Sequence, residues 1–441
     1  MLTVSPGLPG GDANITRSDG CTTKSFPCCT DNTDMGIVSA VMTLIDLPRV
    51  CRRTPVALGA CLLSFTAFWI AQRAAHVSMI DLMVYRAEGA TVRAGGDLYT
   101  LRTTSARLPA TYPPFAALLF TPLTVLDPAD LRTLATAGNL ALLVLFVWLT
   151  LRIVGHARVE TLWWVSAAAV WCEPVWTTLR YGQINLLLAV LVLWDLARGP
   201  GQRWAGAGIG IAAAVKLTPA LFAVFLLATG VMAHTRQRSG GPWLRHARAA
   251  AATFAGATLL GAAVLPYDSW RFWTRVVFQT GRAGLAEDTA NQSLRGVLAR
   301  LLHTPEPGLW WAAVAAVAGA AGLAVAVAAE LRGQRAWAVT ACGMTALLVS
   351  PVSWSHHWVW CVPMAVVLAT LNGAFVLGAA LVFCSYALWW VPHGAGRLEL
   401  HQSGAELTLS ALYGGTAFVF LSLVGGALGR TPRSDQAVAK E

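Results

Sequence analysis

Apolar residues in this chain come in unbroken runs, not at the three-and-four spacing of an amphipathic helix or the alternation of a half-buried strand. Leu309–Ala329 and Leu407–Leu428 are two such runs, each long enough to cross a hydrocarbon core of about 30 Å. The pattern predicts an all-α polytopic membrane protein of about 12 transmembrane helices. They fall near 55–75, 131–151, 160–176, 183–197, 203–215, 217–233, 247–266, 308–330, 336–350, 357–371, 373–391 and 407–429. Pro113–Leu126 is apolar but only about 14 residues long and is closed by Asp127-Pro128. That length suits a helix lying flat at the membrane surface. The stretch 203–233 is split at Lys216-Leu217-Thr218-Pro219, because a lysine in mid-span costs about 2.5–3.5 kcal/mol on insertion scales.

Between these runs, the polar segments set the organisation. Residues 1–48 form a leader, rich in Ser, Thr, Gly, Asp and Pro over 1–34 and without the charged-then-apolar order of a signal peptide. Met35 or Met42 could be the true start. The transmembrane domain covers 49–430, and 431–441 is a short tail. Arginines Arg49, Arg52 and Arg53 precede the first span, and Arg236, Arg238, Arg245 and Arg248 cluster in one later loop. With an even number of spans both groups face the cytoplasm, as the positive-inside rule requires. Both termini are then cytoplasmic, and the long loops 76–112 and 267–307 face outward, the first carrying juxtamembrane helices.

Composition narrows the class. Of 441 residues, 56% are hydrophobic and 12% charged, against roughly 25% charged in a soluble domain. The formal charge of +10 is scattered in ones and twos with no basic face, so nucleic acid is not an expected partner. The nine cysteines include no C-x-x-C pair, so neither a disulfide framework nor a metal site is expected.

Polar side chains in or beside a membrane are costly and usually serve a pathway or a site. In the topology above, Asp81, Glu173, Arg180, Lys216, Asn291-Gln292-Ser293 and the Ser353–His357 stretch all fall on the outer side. A carboxylate, a lysine and two histidines on one face suit transfer chemistry on a phosphorylated substrate. Each also has a plainer reading: Asp81 as a helix cap, Lys216 as a lysine snorkelling to the interface, and His356 and His357 as interfacial neighbours of Trp354, Trp358 and Trp360. Adjacent histidines point about 100° apart on a helix, so one at most faces a ligand squarely.

The string Asp81-Leu82-Met83-Val84-Tyr85-Arg86 followed by Gly96-Asp97-Leu98-Tyr99 resembles the first outer loop of family 87 glycosyltransferases, the actinobacterial polyprenyl-phosphate-mannose-dependent α-(1→2)-mannosyltransferases of the GT-C superfamily. Thr111-Tyr112-Pro113-Pro114-Phe115, Tyr181-Gly182-Gln183-Ile184-Asn185, Val215-Lys216-Leu217-Thr218-Pro219, Asn291-Gln292-Ser293-Leu294 and Ser350–His357 are similar to further landmarks of that family, in order along about 75–360. The resemblance implies a GT-C fold in a bacterial plasma membrane and an extracytoplasmic active site. The implied reaction is inverting transfer of mannose from a polyprenyl-phosphate donor to a glycolipid or cell-envelope glycan. It casts Asp81 as general base and places Lys216, His356, His357 and, more weakly, Arg180 at the donor phosphate. Tyr85, Arg86, Gln183, Asn185, Asn291 and Gln292 would hold sugar hydroxyls. No cofactor or divalent metal is expected, since the donor carries one phosphate and no carboxylates cluster in the sequence.

A transporter or lipid-linked-sugar flippase is the alternative; it would place polar groups near the midplane and show internal repeats, whereas here they sit at outer helix ends. Cysteine-accessibility labelling tests the frame common to these readings. The 234–246 loop should react only from the cytoplasmic side, and labelling by an impermeant reagent from outside would invert the topology.

Overall fold

The computed structural model describes residues 54–199, 202–236 and 239–430; the leader, the tail and the N-terminal arginines lie outside them. The described chain is mainly helical, with a two-stranded antiparallel hairpin, Arg102–Thr103 with Leu108–Pro109, in the 76–112 segment. Five helices are long and apolar enough to cross a membrane: Thr54–Ala74, Pro128–Val154, Gly241–Val264, Gly308–Leu331 and Leu412–Gly429. Glu173–Tyr181 and Asn185–Leu196 make a sixth if counted as one span bent by 116°. The remaining expected spans coincide with shorter apolar helices, including Val159–Ala169, Ala207–Val215, Ala220–Thr235, Arg335–Val349, Cys361–Ala369 and Gly373–Cys384.

The breaks have local causes. Pro174 stands in the first turn of the Glu173–Tyr181 helix, where its missing N–H costs nothing. The expected span 160–176 accordingly stops at Ala169 and a separate helix starts. Gly182 ends that helix at φ +67, and a Cβ there would come within 2.7 Å of Leu82 Cβ, so the position needs glycine for both conformation and space. Asp127 opens the Pro128–Val154 helix by accepting hydrogen bonds from the N–H groups of Ala129 (2.8 Å) and Asp130 (3.0 Å), which satisfies two of its orphan donors.

The surface helix expected over 113–126 appears as Pro114–Phe120, continued by a 3-10 turn over Thr121–Thr124. It packs on the Ile80–Arg93 helix at Gly89, where any side chain would overlap the backbone oxygen of Phe120. The long segments 76–112 and 267–307 are latched together. The N–H of Leu98 donates to Asp268 (3.2 Å), Arg271 pairs with Asp97, and Arg282 donates to the carbonyls of Ala110 (2.8 Å) and Tyr99. A small apolar core of Leu98, Tyr99, Ala110, Ala117, Phe272 and Val276 lies beneath these contacts.

Glu88 is buried in this outer layer, and one of its carboxylate oxygens has no partner among the described residues. Burial pushes its carboxyl up to about 8, against a smaller opposing pull from Arg282 and the Thr111 backbone. The folded chain therefore keeps the proton at neutral pH while the unfolded chain releases it. The stability Glu88 confers is complete below the unfolded value of 4.5, declines by up to about 1.4 kcal/mol per pH unit as pH rises, and is gone above the folded value. Glu88→Gln should flatten the fall in melting temperature over that window. Identical pH slopes for wild type and variant would mean that Glu88 is charged in the folded protein.

Candidate active site

Beneath the latched loops lies a cavity of about 690 Å³, walled by Asp81, Tyr85, Tyr112, Gln183, Lys216, His356 and His357 among others. Asp81 stands in the first turn of the Ile80–Arg93 helix, which starts at Met79 without a side-chain cap. Its carboxylate is free of the capping role and accepts a hydrogen bond from Gln183 Nε2 at 2.8 Å. Burial raises its pKa, opposed by that hydrogen bond and by the charge of Lys216. Gln183 uses its other atom as well: Oε1 accepts from the hydroxyl of Tyr85 at 2.7 Å. Tyr85 in turn meets Tyr112 hydroxyl to hydroxyl at 2.9 Å. The turn at Gly182 thus delivers an amide that orients a carboxylate on one side and a phenol on the other.

Lys216 follows the last turn of Ala207–Val215, with extended backbone at φ −148 and ψ 126. Its ammonium does not snorkel; it donates to Asn185 Oδ1 at 3.2 Å, meets His357 Nε2 at 2.9 Å, and lies 5.8 Å from the centre of the Tyr112 ring. An ammonium can only donate, so in this contact Nε2 of His357 accepts and its proton sits on Nδ1. The two histidine rings are perpendicular, 4.7 Å apart. His357 is held by the lysine, whereas His356 sets its ring edge-on to Tyr181 and has an Nε2 without a partner among the described residues. The His356 backbone oxygen accepts from Thr178 (2.6 Å) and Asn185 (2.9 Å), tying the histidine turn to the broken helix pair. Below Lys216 and His357 an apolar crevice continues from the cavity, walled by Leu188, Phe222, Leu347 and Trp360.

Several expected site residues serve the scaffold instead. Asn291 and Gln292 are fully buried. The Asn291 amide donates to Ala286 O and accepts from the N–H groups of Ser353 and Ser293. That of Gln292 donates to Thr289 O and Ser410 O and accepts from Tyr413 N–H. With those amides spent on backbone, neither is placed to hold a sugar. Asn185 is likewise committed to Lys216 and His356 and borders the apolar crevice. Arg86 reaches toward Leu126 O at 3.4 Å, and Arg180 is exposed; neither lines the cavity.

The structure also adds members. Tyr112, Tyr181, Arg282, Asp288, His393 and Glu399 line the cavity; in the sequence the last three look like ordinary loop charges. Glu173 is completely buried and accepts from Thr177 (2.8 Å), Ser355 (2.9 Å), Trp389 (3.3 Å) and Tyr413 (2.9 Å), so it fixes the turn that carries the histidines. A glutamate before proline beside an apolar run was the one available signal. Among the described residues no three of His, Cys, Asp and Glu are grouped so as to hold a metal ion.

The profile of glycosyltransferase family 87 matches residues 110–351, a segment that includes Gln183, Asn185 and Lys216. A polyprenol-phosphate-mannose-dependent alpha-(1-2)-phosphatidylinositol mannoside mannosyltransferase of Mycobacterium tuberculosis is 35% identical over 66% of this chain and 70% of its own length. The protein of the same description in Mycolicibacterium smegmatis is 36% identical over 78% and 83%. A polyprenol-phosphate-mannose-dependent alpha-(1-2)-phosphatidylinositol pentamannoside mannosyltransferase of Mycobacterium tuberculosis is 34% identical, covering 66% of each chain. No solved structure matches. With a profile match over more than half its length and such relatives, this chain belongs to glycosyltransferase family 87.

Proposed function

We propose that the chain is a membrane mannosyltransferase that moves mannose from polyprenol-phosphate mannose onto a phosphatidylinositol-mannoside acceptor, with inversion and an α-(1→2) linkage. The observation that carries this is the convergence of Asp81, oriented by Gln183, and the Lys216–His357 pair on one cavity. An acceptor hydroxyl attacks the anomeric carbon; its proton passes to Asp81, the new C–O bond forms, and the bond to the phosphate oxygen breaks with its electron pair. Charge then grows on the departing polyprenyl phosphate, where the fixed ammonium of Lys216 stabilises the transition state more than the ground state. Tyr85, Tyr112 and Gln183 hold sugar hydroxyls. The apolar crevice adjoining Lys216 and His357 suits the first isoprene units of the donor. A transporter does not fit membership of a glycosyltransferase family.

The finer topology belongs to the same reading: twelve crossings in a bacterial plasma membrane, with the short apolar helices completing the count, both termini cytoplasmic and the cavity outside. The arginine clusters support that orientation. Transfer is read as independent of divalent metal, because a donor with one phosphate is served by one fixed cation.

Transfer by purified protein in nanodiscs, from polyprenyl-phosphate mannose to mannosylated phosphatidylinositols, is the direct test. Asp81→Asn should lower kcat by about 100-fold or more, Lys216→Ala should impair donor use at wild-type folding, and a chelator should leave the rate unchanged. Transfer that survives in Asp81→Asn moves the base elsewhere, and no wild-type transfer would reject the donor. A pH profile probes the orienting amide. Gln183→Ala removes a hydrogen bond that favours the charged form of Asp81, so the acid limb of kcat/KM should move to higher pH. An unmoved limb would dissociate Asp81 from the titrating base.

A further inference from the structure

A second polar pole of the cavity takes no part in the mechanism above. Asp288, His393 and Glu399 all line it, and Asp288 lies within electrostatic reach of both others. Each carboxylate spends one oxygen on a backbone N–H: Asp288 Oδ1 accepts from Ala290 at 2.8 Å, and Glu399 Oε1 from Gly394 at 2.9 Å. Neither second oxygen makes a hydrogen bond among the described residues. Behind them, fully buried Arg300 donates to the carbonyls of Glu287 (3.2 Å), Asp288 (2.8 Å), Asn291 (3.1 Å) and Ser410 (2.8 Å), which holds the Asp288 loop in one shape. The pole is therefore built and rigid, and it keeps free acceptor atoms.

A separate feature also points to an occupant. His356, only 6% exposed, borders the same cavity, and its Nε2 has no partner among the described residues. A buried polar atom left unpaired is costly, and a bound hydroxyl would satisfy it. Trp389 adds an aromatic face to this wall; its indole nitrogen is tied to Glu173 and its ring lies 5.5 Å from that of His393.

From this arrangement we infer that Asp288 and Glu399 form a subsite for the terminal sugar of the acceptor glycan, their free oxygens accepting its hydroxyl protons and Trp389 packing against its C–H face. This rests on the mannosyltransfer reading. Two carboxylates repel a phosphate, so neither the donor phosphate nor the acceptor's lipid phosphate belongs there; a neutral polyol does, since hydroxyls satisfy carboxylate oxygens and carry no opposing charge. Asp81 and Asp288 line the same cavity, so a sugar held at this pole shares that space with the base that must meet its attacking hydroxyl.

Binding of octyl α-mannobioside to the protein in nanodiscs, without donor, reads this subsite directly. Asp288→Asn and Glu399→Gln should each weaken binding by about 10- to 100-fold at unchanged melting temperature. In the transfer assay they should raise KM for the acceptor and leave KM for the donor within about twofold. If one variant fails to fold, the other carries the test, since the two side chains come from different segments. Wild-type binding of the glycoside that both folded variants retain would overturn the subsite, as would a rise confined to donor KM. Glycoside binding that is lost in the variants, in a protein that transfers no mannose, would uphold the subsite and reject the mannosyl donor.

Discussion

An ammonium inside an apolar helix bundle must be desolvated or given partners, and the architecture around Lys216 is organised by that requirement. The chain stops helix formation at Val215 and resumes it at Ala220, which brings the lysine to an apex instead of leaving it in mid-span. Its partners come from two other segments: Asn185 at the start of the second helix of the bent pair and His357 in the turn before Cys361. Those segments are themselves joined, because the His356 carbonyl accepts from both Thr178 and Asn185. One half-buried cation thus draws three helix breaks together, and a cavity lies where they meet.

Behind that cavity, the fold holds its shape with polar groups that never reach the substrate. Glu173 gathers four donors from four segments, and Asn291 and Gln292 clip the 267–307 segment to Ser353 and Ser410. Fully satisfied networks of this kind rigidify a core, while half-satisfied ones would cost more than an apolar replacement. Their placement near the histidine turn, and not at the apolar ends of the helices, concentrates rigidity where geometry matters for transfer.

Hydropathy located the five long apolar helices, because runs of apolar residues report membrane burial directly. The long spans at 54–74 and 308–331 fall within a residue or so of expectation. The bend of 116° between Tyr181 and Asn185 was not legible, since polarity marks a break but not its angle. Asp81, Lys216 and the histidines could be singled out because charge in an apolar context is conspicuous. Asn291 and Gln292 misled for the same reason: an uncharged amide beside a membrane looks alike whether it faces a ligand or a backbone carbonyl. Asp288 and Glu399 went unnoticed because their loops are polar throughout, and only tertiary packing brings them to the cavity wall.

The pairing of a base with a cation poses a problem that the turn Tyr181–Asn185 resolves. A carboxylate and an ammonium in one low-dielectric cavity attract strongly, and on the transfer reading proposed above their direct contact would cost the base its proton affinity and the phosphate its counter-charge. Asp81 and Lys216 feel one another's charge, yet no ion pair joins them among the described residues. Gln183 takes the carboxylate and Asn185, two residues on, takes the ammonium. A single short turn therefore supplies both neutral amides that keep the charges apart. The two amides stand two residues apart on one short stretch of backbone. On the proposed mechanism, a sugar ring bridging the two charges reacts without either first having to be freed from the other.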